Sequence, residues 1–143
     1  DTARVALTLA KVPLPAVLHD VAVEQISYTT QDRGALLAAT GLLAYPTDTA
    51  GAQSTDVLLV LHGTSGFNDA CAPSNDKDTR TMQGALAARG YVVVARDSIG
   101  LRAFGGTTGS PPYLVGQPTA IASLDAVRAA LQRFTRKRLR VTS

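Results

Sequence analysis

The chain has 143 residues, 45% of them hydrophobic. That is long enough for one domain with a real core and too apolar for a disordered segment. Fourteen Lys and Arg against 11 Asp and Glu leave a net charge of +3, too small to mark a nucleic-acid partner. No apolar run is long enough to cross a bilayer.

In chain order, residues 1–20 read as an N-terminal arm. Thr2–Val12 suits either a short helix or an extended segment, and Pro13 and Pro15 interrupt it. His19-Asp20 reads as a surface turn, because no nucleophile lies nearby in sequence. From residue 21 to 143 the pattern is that of a single α/β domain. Val21–Thr30 alternates apolar and polar residues and is rich in Val, Ile, Tyr and Thr, which predicts a strand. Gln31-Asp32-Arg33-Gly34 is predicted as a four-residue turn and Leu36–Tyr45 as the returning strand. Gly41 marks a bulge or close approach there, and Pro46 a stop. Together these make a β-hairpin. Thr47–Thr55 is a polar linker.

The Asp56–Phe67 stretch, DVLLVLHGTSGF, organises the rest. Its apolar run up to Leu61, bounded by turn residues, predicts a fully buried, central strand. His62-Gly63-Thr64-Ser65-Gly66 then follows at the strand's C-terminal end, where ligands sit in open α/β sheets. His62 and Gly63 shape this turn. Thr64 and Ser65 are candidates for offering backbone N–H groups to an anion, and for an ester ligand that nest is an oxyanion hole. Phe67–Thr81 reads as a long polar loop. Its Asp and Asn side chains lack the spacing of a calcium loop, so no metal is expected. Cys71, the only cysteine, sits in this loop; it is either a free thiol or, in a secreted chain, half of a disulfide to another chain.

Thr79 or Thr81 is predicted to cap a helix running to Arg89, stopped by Gly90. Tyr91–Ala95 is a second continuous apolar strand, so strand, loop, helix and strand form a βαβ unit. This strand is expected to border the open side of the sheet. Asp97 follows it and reads as a structural residue that pairs with nearby backbone N–H groups. Gly105–Pro112 can be neither helix nor strand and lacks the lysine and spacing of a phosphate loop. Thr119–Phe134 carries Ile121, Leu124, Val127, Ala130 or Leu131, and Phe134 at helical spacing. Thr119 is its candidate cap and Asp125 and Arg128 an i,i+3 pair. Arg133, Arg136, Lys137, Arg138 and Arg140 suit a helix C-terminus and a solvated tail; a protease-sensitive linker or an anionic contact are the sharper alternatives. Leu139–Ser143 has the look of an approach to a further strand.

The run HGTSGFNDACAPSN, the strand GYVVVARD over Gly90–Asp97 and the helix AIASLDAVRAA over Ala120–Ala130 resemble the N-terminal half of a secreted lipase- or esterase-type α/β-hydrolase. The resemblance spans Val21 to Ala130. It implies an antiparallel hairpin leading into parallel βαβ strands, with Gly63-Thr64-Ser65 as part of the oxyanion loop after the third strand. It also implies a secreted protein and inclines Cys71 toward a disulfide. The family's nucleophile motif, G-x-S-x-G, is absent, and the two histidines, His19 and His62, both lie too early to match its catalytic base. The sequence therefore reads as one chain, processed and beginning at Asp1, of a carboxylic ester or lactone hydrolase. A second polypeptide would carry G-x-S-x-G with the catalytic Asp and His, and no cofactor is expected. The alternative is a non-catalytic α/β binding or assembly subunit. A third reading, with Ser65 or Ser98 as an internal nucleophile, lacks a positioned base.

Overall fold

A computed structural model describes residues 19–48, 56–103, 112 and 114–140, with residues 135–140 described as helical backbone alone. The expectations placed on residues 1–18, 49–55, 104–111 and 141–143 fall outside the described residues. Strands β1 (Val21–Asp32) and β2 (Ala35–Pro46) pair antiparallel from Val21↔Pro46 to Asp32↔Ala35. The turn between them is Arg33-Gly34 alone, shorter than expected. Both residues have positive φ, 49° and 82°, the twist that lets a two-residue turn join right-twisted strands directly.

Strand β3 (Val57–Val60) and strand β4 (Val92–Arg96) pair parallel, and β4 also pairs antiparallel with β2. The sheet order among the described residues is β1-β2-β4-β3, so the strand expected to be central is the last of the described sheet. Val57 is 37% exposed and Leu61 62%. The strand expected to border the open side, β4, is the central one and is buried throughout. An apolar run has the same pattern in either place, because it records the faces of a sheet and not its edge.

Helix α1 (Lys77–Ala87) covers one face, packing Ala87 and Leu86 against Ala44 and Val93. Helix α2 (Gly116–Arg140) covers the other, packing Ala126, Ala130 and Phe134 against Tyr28, Leu43, Tyr45 and Val94. The result is an α/β architecture with a mixed sheet between helices. Helix α2 begins three residues before its expected cap. Thr119 lies inside it and returns its hydroxyl to the Val115 carbonyl, 3.0 Å away. Its buried stripe is built from alanines at 122, 126 and 130, whereas Leu124 is 53% exposed; small side chains let the helix lie close to the sheet. Leu139 and Arg140 continue this helix. The Asp125–Arg128 pair forms at 2.7 Å, and Asp125 also accepts from the Thr30 hydroxyl of β1. Of the basic cluster, Arg133 pairs with Glu24 on β1. Among the described residues no helix is long and apolar enough to cross a membrane.

Helix α1 also starts earlier than expected. Its cap is Asp76, whose Oδ2 accepts from the Thr79 N–H at 2.7 Å, a use of the first orphan donors of a helix. The segment before it is not a plain loop but two short 3₁₀ turns, Asp69–Cys71 and Pro73–Asn75. The Thr79 N–H and hydroxyl hold the Asp76 carboxyl below its ordinary value. Since the folded value is the lower one, the cap contributes fully above the unfolded value and is lost as pH falls through the folded one. Melting temperature is thus expected to drop more between about pH 6 and about pH 3 in the wild type than in Asp76→Asn, which caps without titrating. Equal drops would show that the cap does not contribute.

Candidate functional site

Parallel strands β3 and β4 end side by side, and a cavity of about 260 Å³ lies beyond their C-terminal ends. One wall is the turn His62–Phe67. A second is the stretch after β4, with Ser98, Ile99 and Leu101, and a third is Leu114 and Thr119 around the start of α2. Arg96, the last residue of β4, also lines it.

The turn is built by local bonds. His62 Nδ1 donates to the Gly63 carbonyl at 2.6 Å, and Nε2 is buried with no partner among the described residues. Gly63 has open space around it. The conformationally demanding residue is Gly66, with φ at +139° and its α-carbon against Cys71. A β-carbon there would sit 2.3 Å from Cys71 Sγ. Cys71 is a free thiol that donates to Asn68 Oδ1 at 3.4 Å, and the same oxygen accepts from the Ala70 N–H. Asp69 accepts from the Arg102 N–H at 2.9 Å, tying this segment to the stretch after β4. Thr64 and Ser65 are exposed at the cavity rim, and neither N–H enters a backbone hydrogen bond among the described residues. Gly66→Ala is therefore expected to reshape the turn. The Gly66→Ala, Cys71→Gly double variant should recover only part of the change, because it removes the clash but keeps the positive φ. Amide chemical shifts of Thr64 and Ser65 read the outcome; shifts left unmoved by Gly66→Ala would refute it.

Behind the cavity lies a buried polar knot that sequence reasoning saw only in part. The Asp97 carboxylate accepts from the Thr40 hydroxyl at 2.6 Å, the Ser74 hydroxyl at 2.6 Å and the Ser74 N–H at 2.9 Å. Its own N–H donates to the Thr40 carbonyl. Asp97 is thus structural, as expected, joining β2, β4 and the 3₁₀ turn at Pro73–Asn75. Thr40 and Ser74 were missed; a lone hydroxyl inside the apolar run LLAATGLLAY was the available signal. Arg96 was missed too. Burial pulls its guanidinium down from the ordinary value, while Tyr28 and Asp97 act in the opposite direction; an arginine stays cationic regardless.

No serine hydroxyl is hydrogen-bonded to a histidine among the described residues. His19 donates to Asp48 at 3.0 Å near the opposite end of the sheet, beside Gly90. No group of acidic, His and Cys side chains able to hold a metal occurs among the described residues.

No protein-family profile matches the sequence, and no curated protein matches it. Solved structures do. A Legionella pneumophila protein provisionally described as a hydrolase matches with a TM-score of 0.74 and 28% identity, over 95% of this chain and 36% of its own. A ligand-bound form of LipA, the rice cell wall degrading esterase of Xanthomonas oryzae, matches at 0.71 and 26%, over 95% of this chain and 35% of its own. A mutant form of the same esterase matches at 0.68 and 26%, over 93% and 35%. The chain has a hydrolase-like α/β fold and spans 35–36% of the length of these structures.

Proposed function

We propose that this chain is the N-terminal part of a secreted serine hydrolase of carboxylic esters or lactones. The carrying observation is the cavity beyond β3 and β4, walled by a turn whose Thr64 and Ser65 N–H groups have no backbone acceptor. In this reading one of those N–H groups donates to the tetrahedral oxyanion, and one such donor contributes roughly 3–4 kcal/mol to lowering the barrier. The nucleophilic Ser, the Asp and the His come from a second polypeptide carrying G-x-S-x-G. Two observations support an assembly: among the described residues β3 has a strand on one side only, and the match covers only 35–36% of the similar structures. Cys71, partly exposed and free, is the candidate for a disulfide to that second chain.

The test is intact mass spectrometry of native material with and without reductant, followed by labelling with a fluorophosphonate. A second chain that takes the label, released on reduction if Cys71 bridges, supports the reading. A complete preparation that neither labels nor turns over short aryl esters ends it. The second reading, a non-catalytic binding subunit, predicts a stable lone 14.9 kDa chain.

A further inference from the structure

We propose that Arg96 is the anion-recognition residue of this cavity and selects ligands that carry a carboxylate. The inference deepens the ester-hydrolase reading by naming a substrate class, and rests on it for the claim that the ligand is an ester.

Arg96 follows four buried apolar residues of β4 and is itself 5% exposed. A buried cation is costly unless charge or several hydrogen bonds offset its lost hydration. Its bonds are only to neutral oxygens: Nε donates to Ser123 Oγ at 2.8 Å, and Nη1 donates to the Asp97 carbonyl at 3.2 Å and Ser98 Oγ at 3.3 Å. The Asp97 carboxylate accepts instead from Thr40 and Ser74. Among the described residues, therefore, no carboxylate forms an ion pair with Arg96 and nothing accepts from Nη2. The side chain that carries these unused donors lines the cavity. Three neutral acceptors do not need a permanent charge, whereas the free donors on Nη2 of a cation suit an anionic acceptor such as a carboxylate. Ile99 and Leu101 supply apolar walls, and a low-polarity surround strengthens a charge-assisted bond. At about 260 Å³ the cavity lies below the usual range for ligand sites, roughly 300–1,000 Å³. It has room for a small acid.

The probe pair is phenylacetate and its neutral isostere phenylacetamide, titrated by NMR into the 143-residue chain. Wild type is expected to prefer the anion by about 10-fold or more, the scale of a hydrogen bond to a charged group. Arg96→Gln should lose that preference and Arg96→Lys keep part of it. Because Arg96→Gln touches the core, Leu114→Glu is the second variant. Leu114 is 89% exposed and lines the same cavity as Arg96, so the change leaves the core intact and sets a carboxylate in the cavity wall that repels an anionic ligand; it too should weaken the preference. No preference in wild type, or one that survives in Arg96→Gln or is undiminished in Leu114→Glu, overturns the proposal. The assembled protein is then assayed with 4-nitrophenyl acetate and 4-nitrophenyl hemisuccinate. Anion preference in binding without hydrolysis of either ester upholds Arg96 and sinks the hydrolase reading. Hydrolysis without any anion preference does the reverse.

Discussion

Asp97→Ala is expected to lower the free energy of unfolding by about 3–5 kcal/mol, the largest effect of any single side-chain truncation outside the apolar core. The carboxylate is buried and receives three hydrogen bonds from Thr40 and Ser74. Removing it leaves two hydroxyls and one backbone N–H without their acceptor in a space closed to water. Each lost bond to a charged acceptor is worth about 1.5–3 kcal/mol, and the three are not additive because they share one group. Asp97→Asn keeps the shape and one acceptor oxygen, so its loss should be smaller. The double variant Thr40→Val, Ser74→Ala in the Asp97→Ala background should recover part of the deficit, since it removes the orphaned hydroxyls. Urea denaturation with a constant m-value checks all three. An Asp97→Ala chain within about 1 kcal/mol of wild type would show that solvent reaches this knot.

Gly41→Ala is the second large effect. Gly41 pairs with Ile26 on one side and Arg96 on the other, where β2 meets β4. A β-carbon there would lie 2.5 Å from the Ala95 carbonyl oxygen and 3.0 Å from the Arg96 α-carbon. Both obstacles are backbone of the central strand, so relief requires the strands to separate. The expected cost is about 3 kcal/mol, the upper end of ordinary overpacking. It should come with disturbed amide shifts at Ala95 and Arg96. A loss of only a few tenths would mean the strands part easily, and would undercut the assignment of β4 as the rigid support of the cavity.

Much of this architecture is legible in the sequence. The alternation from Val21 and the return through Leu36–Tyr45 announce the hairpin, and the runs ending at Leu61 and Ala95 announce two parallel strands. Gly41 reads as either a bulge or a close approach; the unbroken register shows the latter. What could not be read was lateral order. β3 and β4 look alike as runs, yet among the described strands β4 lies between two others and β3 has one neighbour. Helix starts slipped because Asp76 acts as cap while the more familiar Thr79 supplies only the N–H and hydroxyl around it. The Asp97 knot was half visible. Asp97 stands out after its strand, but Thr40 and Ser74 reach it across 57 and 23 residues; Thr40 shows only as a hydroxyl inside an apolar run, and nothing local marks Ser74. Arg96 had a signal that went unused: a lone charge closing an otherwise apolar run, VVVAR, at the sheet end where ligands gather.

The two-residue turn at Arg33-Gly34 also sets a timetable. Every β1–β2 pair closes outward from that turn, so the hairpin can zip locally in about 1–10 μs. The β2–β4 and β3–β4 pairings must bring together segments far apart in the chain, and loop closure makes them later steps. During synthesis the hairpin also leaves the ribosome before β3 and β4 do. It would wait there as a preformed template, with the β2 edge that β4 later occupies still bare.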